Sequence, residues 1–324
     1  MAKPLVVCDN LVKIYKVADL EVVALQGLDL EVVSGEMMAI VGASGSGKTT
    51  LLNILSGLDL PSAGRGIVAG YDLTRLSEEQ RTHYRRFLIG HIWQQSGRNL
   101  LPELTVLENV EMPQLIGGYA ERQRIQHSYE LLEMIGIGHL ANKRPEHLSG
   151  GEQQRTAIAV AIANKPRLLL ADEPTGELDS ITAADIITQL HTLSRELGLT
   201  IILVTHDAAV AAAADRTIAI RDGRTSTETV RRDAPVANIS NGTPGVGARF
   251  IAPGSAVIGL SRETHQESVL IDRAGRLQLP KEAVERIPFN GRAEVRIAED
   301  HVEIWPLAVE TNGAPEKTGA DLSF

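Results

Sequence analysis

Between residues 5 and 33 apolar and polar positions alternate, most plainly where Asp29 and Glu31 separate Leu28, Leu30 and Val32. A period of two predicts antiparallel strands with one wet face. Met37–Val41 is instead a nearly continuous apolar run ending in glycines, the form of a central strand buried on both faces. A helix is expected over 50–58. From 77 to 147 the pattern turns helical, with Leu104, Leu107 and Glu111 on one stretch and Ile125, Tyr129, Leu132 and Ile135 on another. Residues 168–171 and 201–204 return to the buried-strand form, with a helix-like 183–197 between them. Strand, helix and strand in that order predict a parallel pair joined by a right-handed crossover.

These elements predict an α/β core over residues 1–229, preceded by a small antiparallel sheet and carrying a helical subdomain at about 95–160. A linker follows at 230–250, where Pro235, Asn238, Gly242, Pro244 and Gly245 crowd together. A small, mostly-β domain is expected at 251–306. Its compact part, from Ser268 to Pro306, has strand-like runs around Gly275, a helix-like 281–286 and an alternating stretch through Ile304. Residues 307–324 are polar and read as a loose tail. No internal repeat is visible.

Composition narrows the function classes. With 324 residues the chain has room for two domains, and 43% hydrophobic against 23% charged residues is ordinary for a soluble globular protein. A net charge of -9 argues against broad nucleic-acid binding, which draws its affinity from Lys and Arg on phosphates. The single cysteine, Cys8, excludes an internal disulfide and a cysteine-rich zinc site, and reads as a small apolar strand residue. The start of the chain lacks the apolar region of a signal peptide. The longest weakly polar runs, 157–163 and 208–214, fall far short of the roughly 20 residues that cross a bilayer. Any membrane part of its work therefore belongs to another chain.

Three segments carry chemistry. Gly42, Ala43, Ser44, Gly45, Ser46, Gly47, Lys48 and Thr49, with Thr50 behind them, form a phosphate-loop pattern between a buried strand and a helix. Its glycines let backbone N–H groups close on phosphate oxygens, Lys48 adds positive charge near the outer phosphates, and the Thr49 hydroxyl suits Mg2+. The apolar strand at 168–171 ends in Asp172 and Glu173; one acid would hold a metal and the next polarise a water, as phosphoryl transfer to water requires. His206 follows the strand at 201–204, where ligands sit in such sheets, although a lone histidine there also fits an ordinary loop. Ser149, Gly150, Gly151 and Glu152 open the third segment. Ser149 and Glu152 make an S-x-x-E capping box that by itself explains a helix start. The two glycines weaken a first turn, and suit close approach of an anion to it.

In this order and at these spacings, the motifs resemble those of the nucleotide-binding subunits of ABC transporters over residues 5–225. The resemblance implies a P-loop core of the ABC ATPase type, with an antiparallel β subdomain and a helical subdomain. It makes 148–155 the signature that contacts the γ-phosphate of ATP held by an opposing subunit. Tyr15 becomes the aromatic residue stacking on adenine, although its position alone equally describes a strand-core tyrosine. Gln94 becomes the glutamine that senses Mg2+ and water, Asp172 a metal ligand, Glu173 the catalytic base, His206 the switch near the γ-phosphate, and Asp179 the aspartate of the loop crossing the dimer interface. Two positions depart from the family pattern. Glu177 stands where a small or amide residue is usual, and Trp93 where Phe is common.

The runs Asn99-Leu100-Leu101-Pro102 and Leu107-Glu108-Asn109-Val110, with Gly-Glu-Gln-Gln-Arg in the signature, resemble the branch of macrolide exporters, lipoprotein-releasing ATPases and the cell-division ATPase. Residues 271–282 resemble the AbrB-type swapped hairpin, many members of which bind DNA. From Arg262 to Pro306, however, nine acidic residues face seven basic ones, so dimerisation is the expected use rather than DNA binding. The resemblance as a whole implies a homodimeric Mg2+-dependent ATPase. It would work at the cytoplasmic face of the membrane on an integral membrane permease of a separate chain, with no nucleic-acid partner. The alternative is a soluble ABC ATPase or an ATP-switched regulator not coupled to transport. Soluble relatives in DNA repair or translation usually carry zinc cysteines, coiled-coil insertions or paired ATPase units, which this sequence lacks.

Overall fold

Two long strands, β1 (Pro4–Val17) and β2 (Leu20–Val33), pair antiparallel, as the alternating pattern predicts. With β4 (Ala63–Val68) and β5 (Tyr71–Asp72) they make a four-stranded sheet of order β2-β1-β4-β5. The computed structural model describes residues 3–17, 20–94, 99–232, 264–270, 293–297 and 302–306. Cys8 lies buried in β1, where desolvation first and the charge of Asp29 second push its thiol up to about 12. It is an apolar filler, as expected.

The main sheet has the order β11-β10-β9-β3-β8-β7-β6, with β10 (Arg224–Arg232) and β11 (Thr264–Val269) at one edge. Its parallel centre is β9 (Arg216–Arg221), β3 (Met37–Val41), β8 (Thr200–Val204), β7 (Leu168–Asp172) and β6 (Ile89–Ile92). The continuous apolar runs are explained by the two cores they serve. Met37, Ala39, Leu169, Ala171, Ile201 and Leu203 face one, and Met38, Ile40, Leu168, Leu170, Ile202 and Val204 the other. Alternate residues of one strand thus enter opposite cores, and no polar position is tolerated between them.

The first core is closed by α3 (Val106–Ile116), α4 (Glu121–Met134), α5 (Gly150–Ile162), α6 (Ser180–Leu197) and α7 (Ala208–Ala213). The second is closed by α1 (Lys48–Leu55), Tyr84 of α2 (Glu78–Phe87) and the antiparallel sheet. Local sequence decides where α2, α3 and α5 begin. Each has a complete capping box: Ser77 with Gln80, Thr105 with Glu108, and Ser149 with Glu152.

Several elements differ from expectation. The helix expected at 50–58 runs from Lys48 to Leu55, because Gly47 supplies the turn at which it starts. The stretch 77–147, read as helical throughout, contains β6, whose four residues are too few to show a period. Beyond residue 229, β10 (Arg224–Arg232) continues into the expected linker. It is paired by β11 (Thr264–Val269) from the expected small domain, and the Leu270 N–H extends that ladder to the Ser226 carbonyl at 2.9 Å. A separate hairpin joins β12 (Ala293–Ile297) to β13 (Val302–Pro306). The segment resembling the swapped hairpin, 271–282, and the expected helix at 281–286 lie outside the described residues.

Arg216 of β9 ties three parts of this framework together. Its Nε donates to Glu36 Oε1 at 2.5 Å, its Nη1 to Glu228 Oε1 on β10 at 2.6 Å, and its Nη2 to the Glu31 carbonyl. With 18% of its side chain exposed, it compensates two partly buried carboxylates. Arg216→Met keeps the apolar stem but leaves those acids facing each other. It should cost about 2–4 kcal/mol in urea unfolding; a loss within error of zero would contradict the assignment.

His91 of β6 presents a second test. Its ring stacks on Trp93 with centroids 3.8 Å apart, and neither ring nitrogen finds a hydrogen-bond partner among the described residues. Burial lowers its pKa from 6.5 to about 4. A folded pKa below the unfolded one gives stability that is present above pH 6.5 and drains away as pH falls towards 4. His91→Phe should flatten that loss, worth at most about 3 kcal/mol, in unfolding curves across this window. An unchanged slope would contradict it.

Candidate functional site

The carboxyl ends of β3, β7 and β8 lie side by side in the parallel sheet, and the chain leaves each of them into a chemistry-bearing segment. From β3 it enters the phosphate loop. Gly42 has φ 156°, and a Cβ there would run into the carbonyl oxygen of Ile220. Gly47 has φ 102°, and a Cβ there would lie 2.5 Å from the Ala24 carbonyl oxygen. Both positions therefore require glycine, because backbone lies against backbone. Ser44 and Gly45 are exposed, and nothing lies within 4 Å of where a Gly45 side chain would start. The Ser46 hydroxyl is buried with no hydrogen-bond partner among the described residues.

Lys48 and Thr49 open α1. The Lys48 ammonium donates to the carbonyls of Gly42 and Ala43, both at 2.8 Å, so it curls over its own loop. The Thr49 hydroxyl donates to Asp172 Oδ2 at 3.3 Å, which joins the loop to the end of β7. Burial raises the Asp172 carboxyl above its usual range, Thr49 opposes the rise, and the neighbouring Glu173 charge adds to it. A carboxylate so placed gains from a cation. Thr49, Asp172 and the phosphate cradle are the hard oxygen donors that suit Mg2+. Among the described residues no cluster of three or more His, Cys, Asp and Glu could hold a metal ion.

Glu173 has φ 47°, a left-handed conformation that a glutamate adopts only when its surroundings impose it. Its N–H donates to the Val204 carbonyl at 2.9 Å, which ties it to the end of β8. Its carboxylate then meets two groups at once. Gln94 Nε2 donates to Oε2 at 3.2 Å, and His206 Nδ1 lies 3.1 Å from Oε1. His206, with 70% of its side chain exposed, sits where the loop after β8 turns into α7; Asp207 caps that helix through the Ala209 N–H at 2.8 Å. The structure thus gathers Lys48, Thr49, Asp172, Glu173, Gln94 and His206 around the strand ends.

A second group forms at the starts of α5 and α6. Ser149 and Glu152 cap each other, the Ser149 N–H donating to Glu152 Oε2 at 2.7 Å, and these bonds hold the Glu152 carboxyl below its usual range. Asp179 caps α6, accepting from the N–H groups of Ile181 and Thr182 at 3.1 Å and from the Thr182 hydroxyl at 2.6 Å. A Cβ on Gly151 would lie 2.6 Å from Thr182 Cγ2, so that glycine serves the packing of α5 on α6. Gly150 is exposed, and its nearest neighbour would be Leu178 Cδ2 at 3.4 Å. Only Gly150 retains the open approach that both glycines suggest in the sequence. The hydrogen bonds of Ser149 and Asp179 close on their own helix starts.

Tyr15, half-buried on β1, donates its hydroxyl to Asp59 Oδ2 at 2.8 Å and shares a hydrogen bond with Thr50. No motif marks the residues that hold such groups in place: Lys13 and Asp59 beside Tyr15, and Thr182 beside Gly151. Lys13 did carry a signal, since a residue two positions from Tyr15 on a strand shares its face.

The chain resembles known proteins in sequence and in fold. The family described as ABC transporter matches residues 25–176. The chain is 42% identical over 223 residues to the lipoprotein-releasing system ATP-binding protein LolD 2 of Caulobacter vibrioides, covering 69% of this chain and 97% of that protein. It is similar to the ATP-binding cassette MJ0796, solved as a dimer in a post-hydrolysis state bound to ADP and Pi. There the TM-score is 0.64 at 40% identity, over 71% of this chain and 100% of that one. It is also similar to cbiO1 of Clostridium perfringens, part of the ABC transporter complex cbiONQ, with TM-score 0.64, 29% identity and coverage of 69% and 88%.

Proposed function

The chain belongs to the ABC transporter family as an ATP-binding subunit, and from that premise we propose how its residues divide the work of hydrolysis. The subunit hydrolyses ATP to power a membrane transporter. The loop Gly42, Ser44, Gly45, Ser46 and Gly47 offers its N–H groups to the phosphates, and the buried Ser46 hydroxyl is free to join them. Lys48 exchanges its contacts with the Gly42 and Ala43 carbonyls for phosphate oxygens. Mg2+, held by Thr49 and Asp172 with Gln94 close by, would neutralise charge on the outer phosphates. Glu173 is the base that takes a proton from the attacking water.

One observation carries this assignment: Glu173 is held at one oxygen by Gln94 and approached at the other by His206. Two groups from different loops therefore fix the direction of a single carboxylate. A base must be oriented before its basicity matters. Glu173→Gln preserves shape and the Gln94 and His206 contacts but cannot accept a proton. It should bind ATP with affinity near the parent's while turnover falls about a hundredfold or more; near-normal turnover would refute the base assignment.

We further infer that the working unit is two copies of this chain, each closing its Ser149–Gly150–Gly151–Glu152 and Asp179 group on ATP held by the other, with Tyr15 under the adenine. The dimeric form of the similar cassette supports this, as does the exposed start of α5 beyond its own phosphate loop. The likeness to a lipoprotein-releasing ATPase supports a place in that branch, acting on an integral membrane permease of a separate chain at the cytoplasmic face. Among the described residues no helix is long and apolar enough to cross a membrane.

We assign residues beyond the main sheet to holding the two copies together when ATP is spent, through the AbrB-like resemblance at 271–282 and the principle of effective concentration. A chain ending at Leu270 keeps β11 on the edge of β10 and removes the rest. Its dimer fraction without nucleotide, measured by light scattering, should fall well below that of the full chain. An equal fraction would overturn the tethering role.

A further inference from the structure

Lys13, Tyr15 and Asp59 form a closed cluster beside the start of α1. Lys13 and Tyr15 are two residues apart on β1 and so share a face of the strand. The Lys13 ammonium donates to Asp59 Oδ1 at 2.6 Å and to the Leu60 carbonyl at 2.8 Å, and it lies 4.8 Å from the centre of the Tyr15 ring. Only 12% of the Lys13 side chain is exposed. Asp59 accepts the Tyr15 hydroxyl at its other oxygen, and its backbone N–H is fixed by the Asn53 carbonyl at 3.1 Å. Burial alone would raise the Asp59 carboxyl, but the hydrogen bonds from Lys13 and Tyr15 prevail and hold it below its usual range. Thr50, at the start of the helix that follows the phosphate loop, reaches the same Tyr15 hydroxyl.

The consequence concerns the two faces of the tyrosine ring. A cation over one face blocks stacking there and draws π density towards itself, which leaves the opposite face the better surface for an electron-rich purine. The hydroxyl, held between Asp59 and Thr50, stops the ring from swinging away. We propose that Lys13 and Asp59 are positioning residues that make Tyr15 a one-faced platform for the purine base, so that base selectivity depends on this pair as well as on the ring. The inference rests on the reading of Tyr15 as the residue under adenine. The side-chain hydrogen bonds of the pair go to each other, to Leu60 and to Tyr15 rather than to the phosphate loop, so it acts on the base alone.

The test uses the full chain carrying Glu173→Gln, so that nucleotide is bound without turnover, and measures Kd for ATP, CTP and inorganic tripolyphosphate. Lys13→Met and Asp59→Asn should each weaken ATP about five- to tenfold, the effect of releasing one or two ordered side-chain rotations. Tripolyphosphate should stay within about twofold, and the preference for ATP over CTP should shrink. Tyr15→Phe, which keeps the ring but loses the Asp59 and Thr50 bonds, should show a partial loss. If both pair variants keep the parent's ATP affinity and ATP:CTP ratio while Tyr15→Leu loses them, the positioning role is overturned and the platform reading survives. If Tyr15→Leu also binds ATP normally, the platform reading itself fails. Equal weakening of ATP and tripolyphosphate in the pair variants would show that the pair supports the loop rather than the base, which overturns the proposal.

Discussion

Everything in the active half of the molecule depends on backbone lying directly against backbone at the phosphate loop. Gly42 meets the Ile220 carbonyl of β9, and Gly47 meets the Ala24 carbonyl of β2. Hydrogen bonds close the same junction, from the Gly223 N–H to Ser46 O at 3.0 Å and from the Gln26 N–H to Gly223 O at 2.9 Å. The loop is therefore clamped between the central sheet and the antiparallel hairpin. Its N–H groups point where the sheet dictates, and no side-chain rotation can relax them. The same clamp fixes the β1–β2 hairpin, and with it Tyr15, relative to α1. One steric constraint thus sets both the course of the phosphate loop and the place of Tyr15 beside α1.

The chemistry at the other strand ends follows from a second consequence of this architecture. A sheet buried on both faces cannot place charge within its strands, so charge collects where the strands stop. Asp172 is the last residue of β7 and Glu173 the first beyond it, already turned into a left-handed conformation. That turn separates two adjacent acids into different tasks. Asp172 stays against Thr49 and the loop, while Glu173 turns to Gln94 and His206.

The sequence made the centre of this fold legible because burial on both faces leaves continuous apolar runs, and the phosphate loop because only glycine fits its contacts. β6 was hidden: four residues, one a glycine and one a histidine, carry no period, and the strand exists because β7 offers it a partner edge. β11 was hidden for the opposite reason. Nothing local joins residues 264–269 to β10, and the pairing is a tertiary fact about a sheet edge that would otherwise stand open. At the site, residue types and order named the groups that meet Glu173, but not the groups that hold other side chains still. Lys13, Asp59 and Thr182 have ordinary roles when viewed singly, and only their contacts give them meaning.

The Ser149–Glu152 segment shows how a structural and a functional demand divide between neighbouring residues. Gly151 is accounted for within the subunit, because a Cβ there would lie 2.6 Å from Thr182 Cγ2 and force α5 or that side chain of α6 to shift. Ser149 and Glu152 are accounted for by the cap they make together. Gly150 is exposed and takes part in neither the cap nor the Thr182 contact, at a helix start whose free N–H groups and dipole favour an anion. Asp179, capping the adjacent helix, is held by the same Thr182 that excludes a side chain from Gly151. The two helix starts therefore meet at Thr182, whose methyl lies against Gly151 and whose hydroxyl bonds Asp179.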